Sequence, residues 1–398
     1  MTLALFALAG SVPALFFNLY LQALGFDRAY IGITTTASQL GGAIASIPAA
    51  ALLDVIGRRR AMIIGSSAAI VCALAVFLTT DATAILAIQA ISGCGIVLYA
   101  LAVIPLLAEA STPRERTTLF STVDGLSTLA GFAGSLIAGG MPALAASMLH
   151  STPESAEAYR AVLLGSLLVR AVGILPLALI HDDAHRPLGG GRPPGLKRRS
   201  TLRYFDPRVL FRLETPIWKY ALPVLITYIA ASLINPFLTL FLKQRFAVSD
   251  VVLGIVMGSM NLAVGLCTLL GPFAALSFGR TRAVIFGALF SAACLVFIGF
   301  GNGFALIAAL IIIRAGAFNM TLPLYRAHVI DHTPPHEYAI VNLIYSTAAN
   351  VGPTITPPIS GYVQDKAGFN PIFGAAIALY ALAGFCFHLA TKDKPKSS

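Results

Sequence analysis

Apolar runs of about 18 residues or more, long enough to cross a bilayer, follow one another along almost the whole chain. Twelve are read, near 3–25, 30–53, 61–78, 82–108, 118–144, 159–180, 216–242, 248–276, 281–300, 304–329, 338–362 and 370–390. Backbone placed in hydrocarbon must satisfy its own polar groups, so each run is expected to be a helix. Composition excludes the water-soluble alternative. Only 11% of residues are Asp, Glu, Lys or Arg and 57% are apolar, where soluble domains carry roughly a quarter charged residues. The opening run, Leu3 to Gly25, lacks the charged start of a signal peptide and is read as the first span.

Between the sixth and seventh runs, His181 to Thr215 is hydrophilic and holds Gly189, Gly190, Gly191, Pro193, Pro194, Lys197, Arg198 and Arg199. It reads as a flexible cytoplasmic linker joining a half at 1–180 to a half at 216–398. Inside it, Phe205 to Leu213 is expected to form a short amphipathic helix on an anionic membrane surface.

The net charge of +10 invites a nucleic-acid reading, but that needs a basic aqueous face with aromatics beside it, which apolar spans do not offer. Lys and Arg instead fix orientation by staying on the cytoplasmic side. The outer links hold Arg28, Arg160, Lys243, Arg245 and Lys366, while Arg58, Arg59, Arg60, Arg114, Arg116, Arg280, Arg282, Arg326 and the basic linker and tail fall on the inner side. Both termini are therefore expected in the cytoplasm of a plasma (inner) membrane, with the chain acting as a monomer in the lipid bilayer.

The five cysteines, Cys72, Cys94, Cys267, Cys294 and Cys386, lie in apolar runs without a CxxC pair, so neither disulfides nor a zinc site is expected. His328, His332 and His336 recur every fourth residue, but Pro334 and Pro335 break the helical register that a metal site would need. No metal and no cofactor are expected.

The halves look like copies. Gly32 and Gly254, Gly57 and Gly279, Arg58 and Arg280, Arg60 and Arg282, Glu109 and Asp331, Pro113 and Pro335, Glu115 and Glu337, and Gly139 and Gly361 are each 222 residues apart. Parallel six-helix repeats place a site at their interface near the bilayer midplane.

Between the second and third runs stand Ala50, Asp54, Gly57, Arg58, Arg59 and Arg60. This segment resembles the G-x-x-x-D-R-x-G-R-R signature of the major facilitator superfamily, with Ala50 for the leading Gly and Val55 for the first Arg. The link holding Glu109, Pro113, Arg114, Glu115 and Arg116, with its twin holding Asp331, Pro335, His336 and Glu337, is similar to that family's link between helices four and five. The resemblance implies an all-α membrane fold of twelve helices in two pseudo-symmetric six-helix bundles that rock between inward-open and outward-open states. It further implies a cytoplasmic gate built from Asp54, Gly57, Arg58, Arg59, Arg60, Glu109, Arg116, Arg280, Asp331 and Glu337, with Asp54 facing the start of the eleventh span and the Arg cluster reaching Glu109. The bland alternative is that the arginines serve topology.

The fifth span carries Gly125, Gly131, Gly134, Gly139 and Gly140 and resembles the glycine-rich motif of drug–proton antiporters, with Ser135 where those have Pro. Small residues at this spacing also simply allow close helix contact. Charges in mid-span are better pointers, since each costs roughly 3 kcal/mol on insertion scales. Of the 17 acids, Asp124 is the one in the body of a span and is the candidate proton carrier, against the rival of a static partner for an Arg. Arg314 is the candidate cation for an anionic or carbonyl group; the role of Arg170 is open. Polar cavity candidates are Asn18, Gln22, Gln39, Gln89, Tyr99, Tyr228, Asn235, Asn261, Asn319, Tyr345 and Asn350.

No nucleotide-binding G-x-x-x-x-G-K-[ST] motif is present, which leaves ion or solute gradients as the energy source. The expectation is a transporter of a small solute, with proton-coupled efflux of amphipathic or drug-like compounds first. Uptake or facilitated diffusion of a polar or anionic metabolite comes next, then a transport-dead receptor. A membrane enzyme would need clustered catalytic groups, and Asp124 has no such company.

Overall fold

The computed structural model describes residues 1–109, 111–112, 115–179, 217–334 and 337–392. The linker at 181–215 with the helix expected at Phe205 to Leu213, and Pro113, Arg114, Pro335, His336 and the Arg116 side chain, lie outside the described residues.

The described chain is helical throughout: α1 (Thr2–Ala23), α2 (Arg28–Ile56), α3 (Arg58–Leu78), α4 (Ala82–Glu109), α5 (Arg116–Leu149), α6 (Ala156–Leu179), α7 (Ile217–Ile234), a 3-10 turn (Asn235–Phe237), α8 (Leu238–Phe246), α9 (Asp250–Phe278), α10 (Arg280–Phe300), α11 (Phe304–Asp331), α12 (Tyr338–Ala367) and α13 (Asn370–Lys392). Several helices overrun the apolar runs by about a turn, α2, α5 and α12 among them, and capping groups set helix starts: Asp27 accepts from the Tyr30 N–H at 2.7 Å, and Ser249, its counterpart 222 residues on, accepts from the Val252 N–H at 3.4 Å. Asp81 caps α4 through the Thr83 hydroxyl and the Ala84 N–H, and these bonds hold its carboxyl below the usual carboxylate range.

Two expectations are corrected. The seventh run is not one helix; Asn235 and Pro236 interrupt it, since Pro236 has no N–H to donate to the preceding turn. Among the described residues eleven helices, taking α7, the turn and α8 as one, are apolar enough to span by composition. The helix α12 is long enough at 30 residues but carries a polar stripe and Pro353, Pro357 and Pro358, because one face of it lies against α2 and not lipid.

Helices α1–α6 pack among themselves, and α7–α13 do the same with equivalent pairings. The halves meet along two seams, α2 on α12 and α5 on α9, which are equivalent under the repeat. Two glycine pairs of the 222-residue repeat, Gly32 with Gly254 and Gly139 with Gly361, lie in these seams. A Cβ on Gly254 would stand 2.5 Å from the Ser135 carbonyl oxygen, and one on Gly139 2.9 Å from that of Asp250; Gly32 meets the Pro357 carbonyl and Gly361 that of Arg28 more closely still. Backbone therefore touches backbone at four symmetric points.

These contacts sit toward the face opposite both termini, called here the outer face. The large fully buried side chains cluster there too: Phe16 and Tyr20, Tyr159, Phe237 and Phe241, and Phe373. The exposed large apolar side chains, Ile44, Leu276, Leu168 and Phe286 among them, are what a surface solvated by lipid presents.

At the opposite face Gly57 joins α2 to α3 at φ 83 and ψ 160, and Gly279 repeats the turn at φ 78 and ψ 145. A side chain is strained in that region by about 1–3 kcal/mol. Gly57→Ala and Gly279→Ala are each expected to lower unfolding stability by that amount without moving the seams, as thermal denaturation in detergent checks.

Candidate functional site

The seams close the outer end and leave a cleft at the inner end. On α5, Gly139, Ser135, Phe132 and Thr128 meet α9 in descending order, and Asp124 is the next position on the same face, exposed. It lies about 12 Å from the inner end of α5 at 1.5 Å per residue. On α2, Arg28, Gly32 and Thr36 meet α12, and Gln39 follows on that face, exposed. Asn350 is its neighbour on α12, one turn inward of Thr354, whose carbonyl accepts from the Thr36 hydroxyl at 2.6 Å. Asn261, the repeat equivalent of Gln39, is exposed on the α9 face.

The other wall carries a recess of about 500 Å³ lined by Tyr228 of α7, Arg326 and Ile330 of α11 and Tyr345 of α12. The Arg326 guanidinium lies 5.0 Å from the centre of the Tyr345 ring, an arrangement that attracts cation to ring face. Arg326, assigned from sequence to an inner link, is a residue of α11 about 8 Å from its end at 1.5 Å per residue. The reverse holds for Arg314. It is 7% exposed, donates to the Tyr380 hydroxyl at 2.9 Å and lies over that ring. The cleft cation is therefore Arg326, because Arg314 points back against α13.

The remaining cavity candidates divide. Tyr99 contacts Phe6 with ring centres 5.2 Å apart and lines a chamber inside the α1–α6 half. Asn319 and Asn350 donate to carbonyls of their own helices at 2.9 and 2.8 Å. Gln89 is half-buried in α4. Asn18 donates to the Pro236 carbonyl and so joins the halves, while Gln22 and Asn235 sit at the outer helix ends and not in the cleft, a correction that follows from where α1 and α7 stop.

At the inner face, Arg58 Nε is 2.9 Å from Glu109 Oε1, and its repeat equivalent Arg280 pairs with Asp331. Arg59 donates from Nε and Nη2 to the Leu177 and Ala178 carbonyls, both at 2.7 Å, which fixes α3 to the C-terminus of α6. Arg60 is exposed at the same turn and Glu337 is buried at the start of α12. Asp54 does not reach the start of α12. It is exposed, without a hydrogen bond or ion pair among the described residues, because α2 and α12 have parted at that depth.

Reading the sequence missed an outer network. Lys243 Nζ is 2.7 Å from Asp250 Oδ1, 2.9 Å from Glu154 Oε1 and 3.0 Å from the Tyr159 hydroxyl, so two groups from each half converge. On the other seam, Asp365 accepts from the Ala29 N–H at 2.9 Å while the Arg28 guanidinium donates to the Gln364 carbonyl at 2.7 Å and to Gln244. Arg28 and Asp250 are themselves 222 residues apart. Opposite charges at equivalent helix starts were the available signal.

A two-half helical body with seams at one end and a polar cleft at the other is the architecture of a multi-pass membrane transporter, not of an enzyme. The family model for the Major Facilitator Superfamily matches residues 1–225 and 220–398, and the chain belongs to that family. No curated protein matches it. Among solved structures it is similar to a variant of the nucleoside transporter NupG (TM-score 0.80, 16% identity, covering 98% of this chain and 97% of that chain). It is also similar to a bacterial homologue of the human lysosomal transporter Spinster in an inward-facing, occupied conformation (TM-score 0.71, 15% identity, 99% and 95%). A D-xylose–proton symporter is similar as well (TM-score 0.71, 14% identity, 97% and 95%).

Proposed function

We propose that the chain exports a small amphipathic or drug-like solute by alternating access, driven by protons that return through Asp124. The two halves, joined by the linker at 181–215, rock about the seams as a monomer in the plasma (inner) membrane with both termini cytoplasmic. The carrying observation is the face of α5: four positions that seal against α9, followed by one carboxylate that opens to the inner cleft. When the seam reverses, the same carboxylate exchanges sides. Apolar and aromatic lining around Tyr228 and Tyr345 suits cargo with an apolar body. The pairs Arg58–Glu109 and Arg280–Asp331 stiffen the inner helix turns that Asp54, Arg60, Arg116 and Glu337 complete as a gate when the cleft closes.

Arg326 favours a second reading, uptake or facilitated diffusion of a polar or anionic metabolite. Two structurally similar proteins are named for a nucleoside and for D-xylose, so the fold accommodates polar cargo. A thermal-shift screen of solutes on purified protein, followed by flux of each hit in proteoliposomes with and without a proton gradient, decides among them. Asp124→Asn is expected to retain exchange while the accumulation ratio of a neutral cargo falls to about one, as loss of coupling requires. Full gradient-driven accumulation by that variant refutes proton coupling there, and absence of flux for every hit leaves a receptor.

A further inference from the structure

The half formed by α1–α6 contains a chamber separate from the recess on the other wall. It measures about 380 Å³ and is bounded by Phe6 of α1, Ser66 and Ala69 of α3, Ile96 and Tyr99 of α4 and Arg170 of α6. Helices α2 and α5 pack on the other half, α4 packs on α2 and α1 on α5, and α3 and α6 lie behind them. The chamber occupies the gap between α1 and α4. Its mouth therefore faces the cleft, where Ile96 is exposed, and Ser66 and Ala69 are buried at its back.

Arg170 lies about 14 Å from the inner end of α6 at 1.5 Å per residue. No acid among the described residues lines the chamber. Among the described residues Arg170 has no ion pair, and its buried Nε has no hydrogen-bond partner. A guanidinium at this depth is costly and is retained where a partner or a ligand offsets the cost. Because Arg170 lines the chamber without an ion pair, an anion that enters meets a cation with no competing partner.

The repeat supplies an internal comparison. Phe6, Ser66, Ile96, Tyr99 and Ala100 correspond, 222 residues on, to Tyr228, Ala288, Phe318, Thr321 and Leu322, which line the equivalent pocket among α7, α10, α11 and α13. That pocket measures about 30 Å³, room for little more than water, and is backed by Ala383, Gly384 and Phe387, with no charged side chain among its described lining residues. One scaffold used twice has diverged. The uncharged copy is filled by its own side chains, Tyr228, Tyr325 and Tyr345 among them, and shares Tyr228, Leu322 and Tyr345 with the Arg326 recess, whereas the copy that itself carries a cation stays open at a volume within the roughly 300–1,000 Å³ of ligand pockets.

We propose that this chamber binds an organic oxyanion, a carboxylate or phosphate on a short apolar body, with Arg170 and the Tyr99 hydroxyl holding the anionic group and Phe6, Ala69 and Ile96 covering the body. The route in rests on the cleft described above; the binding itself does not.

Calorimetric titration of the full chain in detergent with benzoate, phenyl phosphate and the uncharged benzyl alcohol tests it. Saturable binding of one anion per chain is expected, with benzyl alcohol weaker by about tenfold or more, the worth of one charge-assisted hydrogen bond. Arg170→Gln is expected to bring benzoate down to the level of benzyl alcohol, and Arg170→Lys to retain part of the difference. Ser66→Leu, which fills the chamber without altering charge, is expected to abolish binding of all three and keeps the test open if Arg170→Gln fails to fold. Repeating the titration in phosphatidylcholine and phosphatidylglycerol nanodiscs separates the sources: competition by phosphatidylglycerol assigns the site to a lipid headgroup, and its absence to a free organic anion. Equal binding of benzoate and benzyl alcohol, or unchanged benzoate affinity in Arg170→Gln, overturns the proposal. Proteoliposome flux is read separately, so Arg170-dependent benzoate binding without any flux keeps the site and removes the transport reading.

Discussion

Lys243→Met is expected to open the outer face. Lys243 satisfies Asp250, whose side chain is 6% exposed, and draws in Glu154 and Tyr159 from the other half. Without it a buried carboxylate is left unpaired, and breaking a buried pair in this way costs about 3–5 kcal/mol. The chain escapes that cost by parting the α5–α9 seam so that water reaches Asp250. A cost of that size moves a two-state equilibrium by a factor of a hundred or more, since each tenfold is about 1.4 kcal/mol. Spin labels at Ser151→Cys and Lys366→Cys, one on each half at the outer face, read the change as a longer distance between them. Adding Asp250→Asn removes the stranded charge and is expected to restore the shorter distance. An unchanged distance in Lys243→Met rejects the network as an outer latch.

Gly361→Leu is expected to arrest the cycle in the opposite sense to a ligand that stabilises outer closure. A Cβ at Gly361 overlaps the Arg28 carbonyl, and at its partner position Gly32 it overlaps the Pro357 carbonyl. These are backbone atoms, which yield only if α2 and α12 separate. Outer closure is then lost as a packed state, because interiors are close-packed and do not deform continuously. Flux of any transported solute is expected to fall by about a hundredfold or more, on the scale of the population shift such a clash imposes. Protein yield and thermal stability are expected to suffer less, since the six-helix packing within each half is untouched. Gly374→Ala is the control: a Cβ there meets nothing within 4 Å, so flux near that of the unaltered protein is expected. Normal flux in Gly361→Leu means that the α2–α12 seam does not close during transport.

Both predictions concern contacts that the sequence marked without explaining. The glycines at 32, 139, 254 and 361 were visible as a repeat, but their reason, four backbone crossings that seal one end, required the two halves in register. Asp250 stands near the start of the eighth apolar run, and nothing local in the sequence marks it as buried. Its burial follows from Lys243 arriving across α8, which begins only after the 3-10 break at Asn235. Arg314 and Arg326 exchanged places for a similar reason. Both lie on α11, twelve positions apart, and a rotation of that helix decides which of them meets the cleft and which meets Tyr380.

Lipid made the rest legible. Hydrocarbon permits almost nothing but helices of spanning length, so the succession of helical spans and the duplication of the two halves were legible in the order of residues before any packing was known. Those features depend on the solvent of each segment, which composition reports directly. What only the tertiary structure decided is which face of each helix looks at lipid, at another helix or at the cleft, and which end of the body is sealed. In a membrane the lipid-facing and helix-facing sides are both apolar, so the 3.6-residue periodicity that separates inside from outside in water is largely erased. The choice of sealed end is a balance between two packings of the same helices, set at a few buried ion pairs and glycine crossings far apart in the chain.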